Sequence, residues 1–351
     1  MTADKTIRLA DFDKSELRLW LTEKGLIEPD GHAWRSDQIF SWLGRGARSF
    51  DEMTNLPRDL RAALAQTAIT GIPEVVGARH SERDGTVKYA LKMSDGCIVE
   101  SVLMRYKHGD SICVSSQAGC RMGCAFCATK PGSFARDLTP GEMYGQVILA
   151  GQIGRIGNVV VMGVGEPFNN YDNTLKFIRL LHEHPETGIG YRKVAISTCG
   201  ILPGILRLAE EGLPIGLSVS LHAPRDTVRS SLMPVNHSFS IDKLLEACKI
   251  YTCKTKRRVT FEYALIEGIN DAPDDAFELL RRVRGMLCHI NLIPVNNTGD
   301  SSFKPSSKEG IKRFAGILEN GGAQVTVRRR LGSDIMAACG QLRNTMSRDE
   351  G

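Results

Sequence analysis

Three cysteines, Cys120, Cys124 and Cys127, stand in Gly119-Cys120-Arg121-Met122-Gly123-Cys124-Ala125-Phe126-Cys127, a C-x3-C-x2-C spacing just after the apolar run ICVSS. Three thiolates this close, in a turn behind an expected strand, can grip one metal centre. Structural zinc asks for four ligands in a closed tetrahedron, commonly from two C-x2-C pairs. A cubane iron–sulfur cluster on three cysteines keeps one iron open to a substrate. The count therefore points to the open cluster, with zinc or plain burial of small thiols as the alternatives. Gly163-Val164-Gly165-Glu166-Pro167 closes the next apolar run, VVVM. Glycines at a strand end usually just turn the chain. Here they would also let backbone approach a ligand beside the cluster loop, with Glu166 offering a carboxylate. Ser197, Ser220, Leu221, His222 and Asn296 all fall at or just beyond the ends of expected strands. By residue type alone, Cys113 and Cys339 read as inert buried thiols, and Glu100, on an alternating strand, as part of a solvated face.

These positions need a scaffold. Residues 1–75 read as short helices. Leu17, Trp20 and Leu21 share one helical face that ends at Gly25, an expected C-terminal cap. Ser36 is the expected N-cap ahead of Ile39, Phe40 and Leu43, and a third helix covers Pro57 to Gln66. VKYALKM and CIVESVLM flank Ser94-Asp95-Gly96, a hairpin signal. From there ICVSS, VVVMG, VAIST, IGLSVSL, VTFEYALI, INLIPV and QVTVR alternate with helical stretches. Thr139 with Glu142 and Ser306 with Glu309 read as capping boxes. Strands alternating with helices mean βαβ units and a parallel sheet. Six or seven units in about 225 residues suit a barrel or partial barrel. The expected architecture is α/β: a partial (β/α)6-type barrel over 109–351 with a C-terminal catalytic segment, a small helical accessory domain over 1–75, and a β-hairpin extension over 76–108.

The composition is that of a globular protein. Of 351 residues, 42% are hydrophobic and 24% charged, which excludes disordered, collagenous and coiled-coil chains. No apolar run approaches the ~18–20 residues that span a bilayer. The opening MTADKTIRLADFDK is too charged for a signal peptide, so a cytoplasmic protein is expected. Its ten cysteines should then stay reduced. A net charge of +5 permits a nucleic-acid partner without demanding one.

Together CVSSQAGCRMGCAFCAT, MGVGEPFNNYDN, SLHAPRD, INLIPVN and DIMAACGQL, with WRSDQIFSWL and FDEMTNLP before them, resemble the RlmN/Cfr family of radical S-adenosylmethionine (SAM) RNA methyltransferases from about residue 33 to 346. The resemblance implies a radical SAM barrel with a 4Fe–4S cluster on Cys120, Cys124 and Cys127. The open iron of that cluster holds SAM and cleaves it to a 5′-deoxyadenosyl radical. It also implies SAM contacts at Gly165, Glu166, Ser197, Ser220, Leu221, His222 and Asn296, with Glu166 on the methionyl ammonium. Cys339 corresponds to a cysteine methylated by one SAM. The radical from a second SAM takes a hydrogen from that S-methyl group, and the methylene adds to an adenine ring carbon. Cys113 would then displace Cys339 through a transient disulfide. Glu100 matches the carboxylate usually assigned as proton acceptor, a role left open between Glu100 and Cys113. The chemical logic is sound: adenine carbons 2 and 8 are not nucleophilic, and covalent catalysis splits the transfer into feasible steps.

The expected function is therefore methylation of adenosine carbon 2 in 23S rRNA and in tRNA. Carbon 8 or another RNA is the alternative within the family, and a non-enzymatic zinc RNA-binding module the alternative outside it. Implied partners are RNA and an electron donor such as flavodoxin or ferredoxin, with no membrane and a monomeric state. The basic runs Arg105-Tyr106-Lys107-His108, Lys254-Thr255-Lys256-Arg257-Arg258 and Arg328-Arg329-Arg330 read as solvated faces or, for the last, as a phosphate contact near Cys339. The target base must leave its stack, at roughly a few kcal/mol. Three loops depart from the commonest family pattern: Thr129-Lys130-Pro131-Gly132-Ser133-Phe134, Gly332-Ser333-Asp334-Ile335-Met336 and Val295-Asn296-Asn297. They would face the substrate and bear on target and ring-carbon selectivity.

Overall fold

A computed structural model describes residues 6–28, 33–107, 109–129, 132–152, 155–296 and 303–342. His108, Lys130, Pro131 and Asn297, singled out above, lie outside the described residues. The N-terminal helices are α1 (Lys14–Glu23), α2 (Ala33–Gly44) and α3 (Arg58–Thr67). Asp13 and Glu16 form a reciprocal capping box at the start of α1. At its end Gly25 takes φ 64°, and Leu26 N–H returns to Leu21 C=O, the αL cap that the glycine predicts. Ser36 is not a cap. Helix α2 starts three residues earlier, with half-exposed Trp34 in its first turn, and Ser36 is buried inside it. The apolar period marked the buried face of α2 but not its exposed start. These helices enclose their own core around Leu17, Leu21, Ile39, Phe40 and Leu64.

The chain then builds β1 (Glu74–His80), β2 (Val87–Lys92), β3 (Ile98–Met104), β4 (Asp110–Cys113), the short pair β5 (Gln117–Ala118) and β6 (Arg136–Asp137), α4 (Pro140–Gly151), β7 (Ile156–Val161), α5 (Tyr171–Glu183), β8 (Val194–Thr198), α6 (Leu202–Glu210), β9 (Gly216–Ser220), α7 (Asp226–Leu232), α8 (Ile241–Thr255), β10 (Val259–Leu265), α9 (Pro273–Val283), β11 (Cys288–Pro294), α10 (Lys308–Asn320) and β12 (Val325–Val327). Ten strands form one sheet in the order β1-β2-β3-β4-β7-β8-β9-β10-β11-β12. Pairing is antiparallel through β4 and parallel from β4 onward. This is the mostly parallel α/β architecture of a partial barrel, open between β1 and β12 among the described residues, with helices crossing over between strands. All seven apolar runs read as strands from the sequence are β4 and β7 to β12. Strand β1 was not foreseen, because it is exposed on both faces and carries no apolar alternation.

The β2–β3 connection closes as a hairpin with Gly96 at φ 85° and Asp95 Oδ1 accepting from Cys97 N–H at 3.0 Å. Thr139 caps α4 in a full capping box. At α10 the cap is Ser307, one residue beyond the expected Ser306, whose hydroxyl instead donates to Asp271 Oδ2 at 2.6 Å. The main core, with Val159, Ile196, Val219, Phe261 and Leu292 from the strands and Phe177, Leu208 and Phe314 from the helices, packs the helices against one face of the sheet. Each such side chain contributes roughly 1.5–3 kcal/mol. Among the described residues no helix is long and apolar enough to cross a membrane.

Candidate active site

The carboxyl ends of the parallel strands meet at one cavity. Its wall carries Cys120, Cys124 and Cys127 from the loop after β4, Gly165 and Glu166 after β7, Ser197 on β8, Ser220 and His222 at the end of β9, and Asn296 after β11. Cys113, the last residue of β4, and Cys339 line the same space. Two expected residues do not. Leu221 is fully buried behind the rim, and Glu100 is fully buried beneath the C-terminal segment. Glu100 is therefore no solvated strand residue: Lys88 Nζ lies 3.2 Å from its Oε1 in the interior.

The cluster loop is held from two sides. Ala125 N–H donates to Leu232 C=O at 2.9 Å, and Ala128 N–H to Gly340 C=O at 2.7 Å. Burial pushes the Cys124 thiol up to about 12, and Cys127 and Cys120 add to it, so the three sulfurs are electrostatic neighbours. A metal centre there must displace protons from its ligands. Among the described residues no three His, Cys, Asp or Glu side chains close on a single metal ion. Three cysteines on one loop at the cavity wall fit an iron–sulfur cluster held by thiolates.

Glu166 is buried and fixed. Its carboxylate accepts from Phe168 N–H at 3.0 Å and Cys199 N–H at 2.7 Å, while its own N–H donates to Gln117 Oε1 at 2.9 Å. Burial raises its carboxyl above the ordinary value, and the donated hydrogen bonds oppose that. Gly165 holds φ 112°, and a Cβ there would stand 2.7 Å from Ser116 Oγ, so glycine is required for both conformation and space. His222 also adopts a left-handed φ, 56°. Its Nδ1 accepts from Ala264 N–H at 2.9 Å, and burial lowers its pKa to about 3. The ring is thus neutral, with its proton on Nε2.

Sequence reasoning missed two groups. Arg229, in α7, is fully buried and donates to Leu221 C=O (3.1 Å), Asn236 Oδ1 (2.8 Å), Cys199 C=O (2.7 Å) and Ser220 C=O (3.0 Å). It ties the ends of β8 and β9 together. Glu262 is a buried carboxylate on the cavity wall that accepts from Asn291 Nδ2 at 3.2 Å. A lone glutamate within the apolar run VTFEYALI was the available signal. Arg328 departs from expectation: its side chain is 19% exposed and turns inward, 3.9 Å from Glu262 and beside Cys339, so it is not a solvated phosphate contact. Arg329 and Arg330 are exposed.

The C-terminal segment crosses the mouth. Asn296 Nδ2 donates to Cys339 C=O at 3.1 Å, and Thr129 Oγ1 to Leu342 C=O at 2.7 Å. Cys339 is exposed, whereas burial pushes the Cys113 thiol up to about 12. All ten cysteines are free thiols, Cys113 and Cys339, which the resemblance links only transiently, among them.

A cysteine triad on the loop after the first parallel strand, a glycine–glutamate turn after the second and a shared cavity at the strand ends define a radical SAM enzyme. Residues 114–280 match the radical SAM superfamily, and residues 7–70 match the ribosomal RNA large subunit methyltransferase N-terminal domain. The chain is 48% identical over 339 residues to a probable dual-specificity RNA methyltransferase RlmN of Clostridium botulinum (strain Eklund 17B / Type B), covering 96% of each. It is 44% identical over 346 residues to that of Clostridium perfringens (strain 13 / Type A), covering 98% of each. A crystal structure of a radical SAM methyltransferase from Sphaerobacter thermophilus superposes with a TM-score of 0.91 at 44% identity, covering 96% of this chain and 99% of that one. The chain belongs to the RlmN family of radical SAM RNA methyltransferases.

Proposed function

We propose that this enzyme methylates carbon 2 of an adenosine in 23S rRNA and in tRNA through an S-methyl group carried on Cys339. The observation that carries the reading is the shared cavity: Cys339 and Cys113 line the same space as the three cluster cysteines. The cluster and SAM, when bound, supply the radical that activates a C–H bond. Glu166, Gly165, Ser197, Ser220, Leu221, His222 and Asn296 are assigned to SAM, Leu221 from behind the rim, where its N–H donates to Glu262 C=O and its C=O accepts from Arg229. Two SAM molecules serve each turnover, one to methylate Cys339 and one to activate that methyl. For release, the adduct would first give one electron back to the cluster site, when loaded, and its ring proton to Cys113 or Glu100; the Cys113 sulfur, yielding its own proton to the departing carbon, then attacks the Cys339 sulfur. The S–S bond forms as the S–CH2 bond breaks, its electron pair passes to the departing carbon, and that carbon takes a proton to become the methyl. A cellular reductant then restores both thiols.

Either Cys113 or Glu100 receives the ring proton. Cys113 lines the cavity, whereas Glu100 is buried beneath the segment that carries Cys339. Arg329 and Arg330, exposed beside the cavity, are assigned to phosphate. The dual specificity named for the clostridial relatives supports two RNA classes. The helices up to residue 75 are read as an accessory RNA-binding domain, 76–108 as an extension and 109–351 as the catalytic core, in a cytoplasmic monomer reduced by a flavodoxin or ferredoxin. Mass spectrometry of nucleosides from rRNA and tRNA of cells with and without the protein tests the reading. Protein-dependent 2-methyladenosine in either RNA supports it. 8-Methyladenosine, or no change, overturns it.

A further inference from the structure

Lys88 and Glu100 form an ion pair sealed from solvent, with residue exposures of 1% and 0%. In the β2–β3 register Lys88 pairs with Val102 and Ala90 with Glu100, which sets the two charges on diagonal positions of one sheet face. Val102 and Met104 continue that face into the cavity wall. The cover over the pair is the segment that carries Cys339. Lys88 Nζ also donates to Met336 C=O at 3.3 Å, three residues before Cys339. Met336 holds φ 53°, a conformation that costs a non-glycine residue energy and persists only where its surroundings enforce it. The turn between β1 and β2 helps to enforce it: Asp84 Oδ2 accepts from Gly332 N–H at 2.9 Å, and Ser81 Oγ donates to Asp334 Oδ1 at 2.9 Å. A buried ion pair is commonly no more stabilising than an apolar pair of the same volume. Stability of the sheet therefore does not explain why two charges are kept here, directly under the reactive segment.

We propose that Lys88 is a positioning residue for methyl transfer: its ammonium anchors the Glu100 carboxylate and the Met336 carbonyl at one point, so that the proton acceptor keeps its place relative to the Cys339 segment. The proposal rests on Glu100, of the two candidates named above, being the proton acceptor and on Cys339 carrying the methyl. Losing Lys88 should impair the step that needs the acceptor, release of RNA from the protein, more than the earlier methylation of Cys339.

The test uses reconstituted full-length enzyme with a target RNA and four variants: Lys88→Met, Lys88→Arg, Glu100→Gln and the double variant Lys88→Gln/Glu100→Gln. The double variant leaves neither charge buried unpaired and is read against Glu100→Gln alone, which keeps the test open if Lys88→Met fails to fold. Intact-protein mass spectrometry reads methylated Cys339, and denaturing gels follow formation and decay of the protein–RNA adduct. In Lys88→Met adduct decay should slow by at least about tenfold, with Cys339 methylation changed by less than about threefold, and the double variant should decay no more slowly than Glu100→Gln alone, since Lys88 acts only through the acceptor. Lys88→Arg should recover most of the decay rate. Decay at the parental rate, or methylation and decay falling by the same factor, overturns the positioning role. A Cys113→Ala control that traps no adduct overturns the underlying reading instead.

Discussion

Removing the guanidinium of Arg229 should damage stability and SAM binding together. Arg229→Met keeps most of the side-chain volume but deletes four hydrogen bonds of 2.7–3.1 Å. Three of the acceptors, the carbonyls of Cys199, Ser220 and Leu221, lie at the ends of the strands assigned to SAM. Hydrogen bonds from a charged donor are each worth about 1.5–3 kcal/mol. Against this, burial itself disfavours the charged arginine and depresses its pKa, so the substitution recovers part of the desolvation cost. Breaking one side of a buried charged network typically leaves a net loss of about 3–5 kcal/mol. At about 2–4 °C per kcal/mol, Tm should fall by roughly 6–20 °C. Relaxed Ser220 and Leu221 should weaken SAM by about tenfold or more, the equivalent of ~1.4 kcal/mol. Calorimetry and SAM titration on anaerobically reconstituted protein, with iron measured in each sample, read both effects. A Tm within about 2 °C of the parent, with unchanged SAM affinity, would refute the claim that Arg229 braces the rim.

His184 stacks on Phe40 at 3.7 Å and on Tyr144 at 4.6 Å where the accessory helices meet the core, and burial lowers its pKa to about 3. The unfolded chain takes up this proton near pH 6.5 and the folded chain does not, so stability is full above 6.5 and falls as pH drops toward 3, by at most about 1.4 kcal/mol per unit. Urea midpoints between pH 7 and 5 should show the decline and His184→Phe should flatten its share; an unchanged slope contradicts the assignment. Reversing Arg329 and Arg330 to glutamate should weaken RNA binding by about tenfold or more and lower its salt dependence. Filter binding across a salt series that finds neither change removes these arginines from the RNA surface.

The sequence legibly carried the parallel core because buried strands leave unbroken apolar runs, and it carried the cluster because three cysteines in one loop need no tertiary context. The capping box at Thr139 was equally local. What it did not reveal depends on chain brought in from far away. Glu100 looks solvent-facing on an alternating strand until residues 332–337 cover it, and Arg328 looks like surface charge until Glu262 draws it inward. Arg229 has no local signal, since its partners lie on two strand ends and a separate turn. Ser36 and Ser306 were misread by residue type alone, where the position of the first hydrogen-bonded turn decides the cap.

In the proposed reaction the methyl group passes through Cys339. Anaerobically reconstituted enzyme incubated with SAM bearing an isotopically labelled methyl, then digested for peptide mass spectrometry, tests it directly. Label is expected on Cys339 alone among the ten cysteines, with no transfer to RNA by Cys339→Ala although its iron content is normal. Labelled RNA produced by Cys339→Ala, or label absent from Cys339 while RNA is methylated, would contradict it.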